Sequence, residues 1–353
     1  MTAPTLADVA RVVGVSRTTV SNAYNRPDQL SPALRDRILA AAEALGYAGP
    51  DPVARGLRRG RTGLVGLVYD QPLSYLFTDP AILMFVAGMA SVWDDAGTSL
   101  ALLPRLQADD AGASVLANAA VDGFVSICDV ADDARLAALV ARRLPFVMVD
   151  HRRSGARCQV VIDDRGGSRA AAEHLLGLGH RRLAVLALPR SPGAPGGALD
   201  PADPGPIRYT VMADRLAGIR KAVEESGLAW DGMPALAVPD DQSPREAARE
   251  LAGKLLERAD RPTGVVAMSD ELAAGVVDAA IARGIEVPRQ LSVVGFDDTP
   301  TATSTTPPLT TVHQPLAARG ETAARLLLEG APARIVEFPT ELVVRCSTTR
   351  APA

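Results

Sequence analysis

The sequence predicts a small all-α helix-turn-helix head followed by an α/β body of two doubly wound parallel-sheet lobes. Three observations predict it. The first sixty residues hold three short helical patterns, each with its own start signal, and a glycine separates the first two. From residue 63 onward, short runs rich in Val, Leu and Ile alternate with alanine- and leucine-rich helical stretches. Charge divides the same way: residues 1–62 carry nine arginines against five acids, a balance of +4, so the net charge of −4 leaves −8 for the remainder. A basic head on an acidic body suits a polyanion-binding module joined to something else. Taken alone, such a charge run is more often a solvated face.

At 353 residues the chain exceeds what one compact domain usually needs. No uncharged apolar run reaches the length of about 18 residues expected of a membrane span. The start, MTAPTLADVARVV, lacks the basic segment and apolar block of a secretory signal, so a cytoplasmic location is expected. Cys128, Cys158 and Cys346 are odd in number and widely spaced, which reads as free thiols and no metal cluster.

Taking the head in order, Thr5-Leu-Ala-Asp8 has the form of a helix start, and Leu6, Val9, Ala10 and Val13 give that helix one apolar face. Gly14 ends it where a tight turn needs positive φ. Ser16 caps a second helix running to about Asn25, with Val20 and Ala23 inward. Ser31-Pro32 opens a third, which carries Ile38, Leu39, Ala42 and Leu45 and stops at Gly46. By pattern alone these helices suit either a DNA-reading unit or a plain three-helix bundle. The stretch Asp51–Thr62 that follows is a Gly/Arg-rich linker, too short and polar for a core.

In the body, strand-like runs fall at 63–69, 99–103, 123–127, 146–150 and 159–163, then at 182–188, 235–239, 264–268 and 291–297. Helical stretches such as 168–178, 213–226, 244–257 and 270–283 separate several of them, as in parallel sheets covered on both faces. The segments 309–330 and 335–345 return to complete the two lobes. Ligands of such sheets bind beyond the carboxyl ends of strands. Asp150, Asp163, Ser269, Asp270, Asp297 and Asp298 fall there, although acids at those positions more often cap the helices that follow. The proline- and glycine-rich stretch 189–214 is expected to be a mobile loop.

The strings TLADVARVVGVSRTTVSNAYN and SPALRDRILAAAEALGY closely resemble the head of LacI/GalR regulators. Matching positions are Thr5, Asp8, Val9, Ala10, Gly14, Val15, Ser16, Thr19, Val20, Ser21, Asn25, Leu45 and Tyr47, while Val13 replaces the usual alanine. The resemblance implies that the second helix enters the DNA major groove. Arg17, Thr18 and Asn22 then face base edges, and Thr5, Ser16, Thr19, Ser21 and Asn25 face phosphates. It also implies that residues 49–62 become a minor-groove helix on DNA, with Leu57 as wedge and Val53 and Ala54 as small apolar contacts. Gly56 weakens that helix by about 0.5–1 kcal/mol, which makes it more dependent on DNA.

The body strings LLGLGHRRLAVLA, DRLAGIRKAVEESG, SDELAAGVVDAAIARGIEVPRQLSVVGFDDTP, PPLTTVHQP and ELVVRCST resemble the same family and the periplasmic-binding-protein type it shares. The implied domains are a head at 1–48, a hinge at 49–62 and an effector-binding and dimerisation body at 63–353. The implied lobes are about 63–162 with 312–337, and about 163–311 with 338–353. Arg215 before LAG and Asp297 of GFDD are the implied effector contacts, with Ser269 where asparagine is common. Asp150 ends the strand before the lobe crossing and Gln314 follows the third crossing; both point into the cleft on this reading. SYLFTDPAILMFVAGM departs from the family segment, so Tyr75, Phe77 and Asp79 shape the pocket differently.

A dimer reading palindromic operator DNA is expected, because the chain ends at Ala353 without a leucine heptad tail. No cofactor, metal site or membrane partner is implied. G-x-x-x-x-G-K-[ST], G-x-S-x-G and H-E-x-x-H are missing, which argues against an enzyme. His180 follows Gly179 and reads as a helix-end residue. The reading is a repressor controlled by a small polar effector, sugar or nucleoside-like. A sugar-binding receptor without DNA function is the alternative, and the head argues against it.

Overall fold

The structure is a computed structural model that describes residues 4–49, 61–69, 71, 73–103, 110–127, 133–150, 158–200, 203–330 and 332–352. It divides into two compact units, Met1–Gly63 and Leu64–Ala353. The hinge positions Val53, Ala54 and Leu57, and also Cys128, lie outside the described residues.

The first unit holds α1 (Leu6–Val13), α2 (Arg17–Asn25), a 3₁₀ turn at Pro27–Gln29 and α3 (Pro32–Leu45). The Asp8 carboxylate accepts from the Thr5 backbone N–H at 2.9 Å and the Thr5 hydroxyl at 2.7 Å, which fixes the start of α1. Gly14, at φ 74°, turns the chain into α2, whose first turn is closed by the Thr19 N–H donating to Ser16 Oγ at 3.0 Å. Val9, Ala10, Val20, Ala23, Ile38 and Ala42 form the buried centre. Tyr24 and Tyr47 meet edge to face at 6.1 Å beside it.

The second unit carries two sheets. One is fully parallel, in the order β12-β5-β4-β3-β1-β2, from β1 (Leu64–Tyr69), β2 (Ser99–Leu103), β3 (Gly123–Ile127), β4 (Phe146–Val149), β5 (Cys158–Ile162) and β12 (Arg334–Phe338). The other has the order β10-β9-β6-β8-β7, from β6 (Leu183–Ala187), β7 (Gly197–Leu199), β8 (Ala235–Ala237), β9 (Gly264–Ala267) and β10 (Ser292–Val294). Every residue of β3, β4, β5, β6, β9 and β10 is buried, as continuous apolar runs in two-sided sheets require.

Helices cover these sheets. In the first lobe they are α4 (Leu73–Leu76), α5 (Pro80–Ala96), α6 (Asp110–Asn118), α7 (Asp133–Ala141) and α13 (Leu316–Glu329). In the second they are α8 (Asp164–Gly177), α9 (Thr210–Glu225), α10 (Pro244–Leu256), α11 (Asp270–Ile281) and the short α12 (Pro300–Ser304). The helices pack in pairs, α5 on α13, α8 on α9 and α10 on α11.

The chain crosses between lobes at Asp163, at Gln314–Pro315 and at Pro339–Thr340. Beside the last two crossings, β11 (Thr311–His313) and β13 (Glu341–Val343) pair antiparallel, with Val312 opposite Leu342. Three expectations are corrected here. Asp150 does not end the strand before a crossing, because β5 follows it in the same sheet; Gln314 stands at the second crossing, not after the third. Nor is the described part of 189–214 a simple loop. Its β7 pairs antiparallel with β8, and the Gly193 N–H donates to the Asp240 carboxylate at 2.8 Å.

Among the described residues no helix is long and apolar enough to cross a membrane, and no cluster of His, Cys, Asp and Glu could hold a metal ion. Cys158 is buried, its Sγ donating to the Pro332 carbonyl at 3.5 Å, and Cys346 is exposed. His180 is buried at the end of α8, its ring bonded to Thr263 Oγ1 at 2.9 Å and the Thr349 carbonyl at 3.0 Å.

Candidate functional site

In the head, Val20 and Ala23 take the inner face of α2, so Ser16, Arg17 and Thr18 at its N-terminal end are exposed and Thr19, Ser21, Asn22 and Asn25 are half-buried. Asn22 donates to the Gln29 side chain at 3.4 Å, and Gln29 is exposed beyond it. The Ser16 and Thr19 hydroxyls bond each other at 2.8 Å. Asn25 turns its amide nitrogen back onto the Ser21 carbonyl at 3.0 Å. The Thr5 hydroxyl is committed to Asp8, and this bond holds the Asp8 carboxyl below its usual range. The resulting surface presents a guanidinium and a hydroxyl at the positive end of a helix dipole, a set of donors suited to acceptor edges and phosphates.

In the body, a cavity of about 120 Å³ lies where the two lobes meet. A void of roughly 150 Å³ admits a six-membered ring. Of the residues expected there, Tyr75, Asp79, Asp150, Arg215, Ser269, Asp297 and Gln314 all line the cavity. Phe77 is not among the lining residues; it lies in the turn after α4, 61% exposed.

A single chain of side chains joins these groups across the lobes. Arg319, on α13, reaches the Asp150 carboxylate with one guanidinium nitrogen and the Gln314 side-chain oxygen with the other. The Gln314 amide donates to Asp297 Oδ1 at 2.6 Å. That carboxylate also faces Arg215 at 3.4 Å, and Arg215 Nε bonds Asp164 at 2.8 Å. Arg215 further donates to the Met268 carbonyl and stacks over the Phe296 ring at 3.6 Å. Asp150 and Asp297 occupy left-handed backbone, φ 61° and 109°, which costs a non-glycine residue about 1–3 kcal/mol. Backbone bonds to Val160 (3.0 Å) and Val312 (2.8 Å) hold them there.

Among largely apolar lining residues such as Ile82, Phe85, Ile127 and Val238, further acids stand at the wall or just behind it. Asp79 caps α5 through the Ala81 N–H at 2.9 Å, and burial with Glu271 nearby pushes its carboxyl up to about 6. Asp270 accepts from the Thr299 N–H (2.7 Å) and the Thr311 hydroxyl (2.5 Å), yet burial still carries it up to about 6. Burial lifts Asp164 to about 6 against the pull of Arg215, and lifts Asp297 well above the usual carboxylate range. Ser269 caps α11 through the Leu272 N–H at 3.2 Å. The Tyr209 hydroxyl donates to Asp240 at 2.9 Å.

Sequence reasoning missed Arg319, Asp164, Tyr209 and Asp240 as parts of this site. A signal for the first was present. Leu316, Arg319, Gly320, Ala323 and Leu327 all lie on the buried face of α13, so an arginine stands in an apolar helix stripe and needs a buried partner. Asp240 becomes visible only through non-local contacts of the 189–214 stretch.

Comparison with known proteins places both regions. A family described as "Bacterial regulatory proteins, lacI family" matches residues 5–49, and one described as "Periplasmic binding protein-like domain" matches residues 172–348. The chain is 41% identical over 360 residues to the HTH-type transcriptional regulator Rv3575c of Mycobacterium tuberculosis, covering 99% of this chain and 98% of that protein. The crystal structure of the lac repressor dimer bound to operator and the anti-inducer ONPF aligns with TM-score 0.77 at 26% identity, over 99% of this chain and 100% of that one. The complex of the transcriptional regulator CelR with cellobiose aligns with TM-score 0.68 at 30% identity, over 98% of this chain and 99% of that one.

Proposed function

The chain belongs to the LacI family of bacterial regulatory proteins, and from that premise we propose that it represses by holding palindromic operator DNA as a homodimer, with affinity set by a small polar molecule between its lobes. It is a DNA-binding transcriptional regulator. On this reading residues 1–48 read DNA, 49–62 form the hinge, and 63–353 bind the effector and dimerise. The operator-bound lac repressor dimer and the cellobiose-bound CelR support the two halves of the proposal. The relatives named are regulators, and the cleft on this reading binds its ligand without turning it over.

One observation carries the proposal: the side-chain chain from Asp150 through Arg319, Gln314, Asp297 and Arg215 to Asp164. It borders the cavity and belongs to both lobes at once. A ligand that joins it favours the lobe arrangement in which its members are aligned, and only such a difference in affinity can move an equilibrium. Hydroxyl groups satisfy these buried groups, whereas an apolar ligand leaves them unpaired. A sugar-binding receptor would share this cleft but leave the capped, arginine-tipped head without a role.

The test begins by selecting operators from a random duplex pool with the full chain. A palindrome is expected. Metabolites are then screened for a compound that changes operator affinity by about 5–150-fold. Arg17→Ala should alter preference at one symmetric base pair by about 1–3 kcal/mol. A uniform loss on all duplexes would assign Arg17 to phosphate instead. A chain that selects no sequence, or whose DNA affinity no cleft ligand moves, would overturn the proposal.

A further inference from the structure

We propose that Gln29 sets which base Asn22 reads: it holds the Asn22 amide by its nitrogen end and so fixes which way that amide faces the DNA. This rests on the reading that the head binds operator DNA. It goes further by adding a positioning residue from outside α2.

The turn after α2 carries Gln29 back beside that helix. Arg26 leaves the helix at φ −145° and ψ 65°, while its N–H still donates to the Asn22 carbonyl at 2.8 Å. Pro27 then opens the 3₁₀ turn with its fixed φ, and the Gln29 N–H closes it onto the Arg26 carbonyl at 3.0 Å. Leu30 follows, half-buried against the core of the head, and Ser31 caps α3. The turn is tied at both ends, and Gln29 stays exposed between them.

On α2, Asn22 stands one turn beyond Thr18 on the same face. Among the described residues its side chain bonds only Gln29, with Nδ2 donating to Oε1 at 3.4 Å. The other carboxamide of the helix is placed differently. Asn25 gives its nitrogen to the Ser21 carbonyl at 3.0 Å and the Ser21 hydroxyl at 3.2 Å. One amide of α2 is thus turned back on its own helix, and one is held from outside.

A carboxamide is nearly symmetric in shape and opposite in chemistry at its two ends. Half a turn about its last bond exchanges an acceptor for two donors. Held by its nitrogen, asparagine presents its oxygen and its remaining N–H, which match the N6–H₂ donor and N7 acceptor of adenine. Turned over, it brings its NH₂ end where the oxygen was, toward the acceptors of guanine or thymine. A free side chain takes both orientations and discriminates weakly. The Gln29 oxygen accepts and cannot donate, so the bond favours one orientation before DNA arrives.

The experiment selects operators from a random duplex pool with the full parent chain, Asn22→Ala, Gln29→Met and Gln29→Glu. Asn22→Ala marks the symmetric base pair that Asn22 reads. The parent should prefer adenine there by about 5–150-fold. Gln29→Met keeps the length of the side chain and removes the acceptor. The preference at that same pair should fall by about threefold or more, with the other pairs unchanged and no further effect in the Asn22→Ala background. Gln29→Glu keeps an acceptor and adds charge. It should retain the preference while weakening binding to every duplex through repulsion from phosphates. A merely structural role would not separate Glu from Met, and thermal unfolding of all variants should match the parent. An unchanged profile in Gln29→Met, a uniform loss on all duplexes, or a change at some pair other than that of Asn22 overturns the proposal and leaves the regulator standing. So does an Asn22→Ala profile identical to the parent's. A parent chain that selects no sequence overturns the DNA-reading head, and this proposal with it.

Discussion

Arg215 shows how one side chain serves fold and function together. It is buried against Asp164, Asp297 and Phe296, so removing it strands two buried carboxylates. Breaking a buried pair in this way costs about 3–5 kcal/mol. Arg215→Ala should therefore lower the urea midpoint of the body as well as abolish the effector response, and equilibrium unfolding measures the first effect. An unchanged midpoint would mean that water reaches Asp164 and that Arg215 is purely a ligand contact. At this scale the sequence was partly legible. Arg215 and Asp297 stand in strings whose neighbours mark them, and Asp79 follows a departure from the usual segment. Arg319 was not, because one arginine in a helix gives no sign of facing inward unless the stripe around it is counted. Phe77 was expected at the cavity because it stands in the segment that departs from the family's, but the turn after α4 leaves it outside.

Elements transmit what residues hold. The helices α5 and α13 cross so closely that a Cβ added at Gly320 would stand 2.0 Å from the Phe85 carbonyl oxygen and 3.0 Å from the Met89 nitrogen. Gly320→Ala must push the pair apart, an overpacking that costs about 1–3 kcal/mol. Asp79 sits at the start of one helix and Arg319 beside the glycine on the other, so the same displacement spoils the cavity. Thermal unfolding should show a lower Tm, and effector affinity should fall although Gly320 does not line the cavity. If Tm drops with affinity intact, the crossing supports the lobe without setting the site. The alternation of strands and helices was readable from apolar runs because parallel strands are buried on both faces. The order in 189–214 was not, since proline and glycine carry no periodic signal and β7 is fixed by pairing with β8, which begins 36 residues after β7 ends.

For the whole molecule, the buried acids predict a pH response. Asp79, Asp164 and Asp270 are each pushed up to about 6, while an unfolded aspartate titrates near 3.9. Between those values the folded chain keeps protons that the unfolded chain has released. Stability from these groups thus rises as pH falls from 7 toward 5 and levels off near 4. The Tm of the body should be a few degrees higher at pH 5.5 than at pH 7.5. Asp79→Asn, which no longer titrates, should shrink that difference. A larger or unchanged difference in the variant would show that Asp79 is well solvated in the folded chain. The two-lobed plan and the head were legible at this scale from charge and repeat pattern. The place of Asp150 relative to the crossings was not, because it depends on which sheet claims β5.

Those crossings have a mechanical consequence. Two of the three are joined side by side as β11 and β13, and the third is leashed to them where the Thr340 hydroxyl donates to the Asp163 carbonyl at 3.3 Å. Three separate tethers would let the lobes slide, twist and tilt. A laced ribbon resists twist, since twisting shears its ladder, and resists sliding, since its strands share a register. What it leaves soft is flexion across its own plane. The body then behaves as a joint with an axle, and any molecule that wedges or clasps the cleft changes one angle.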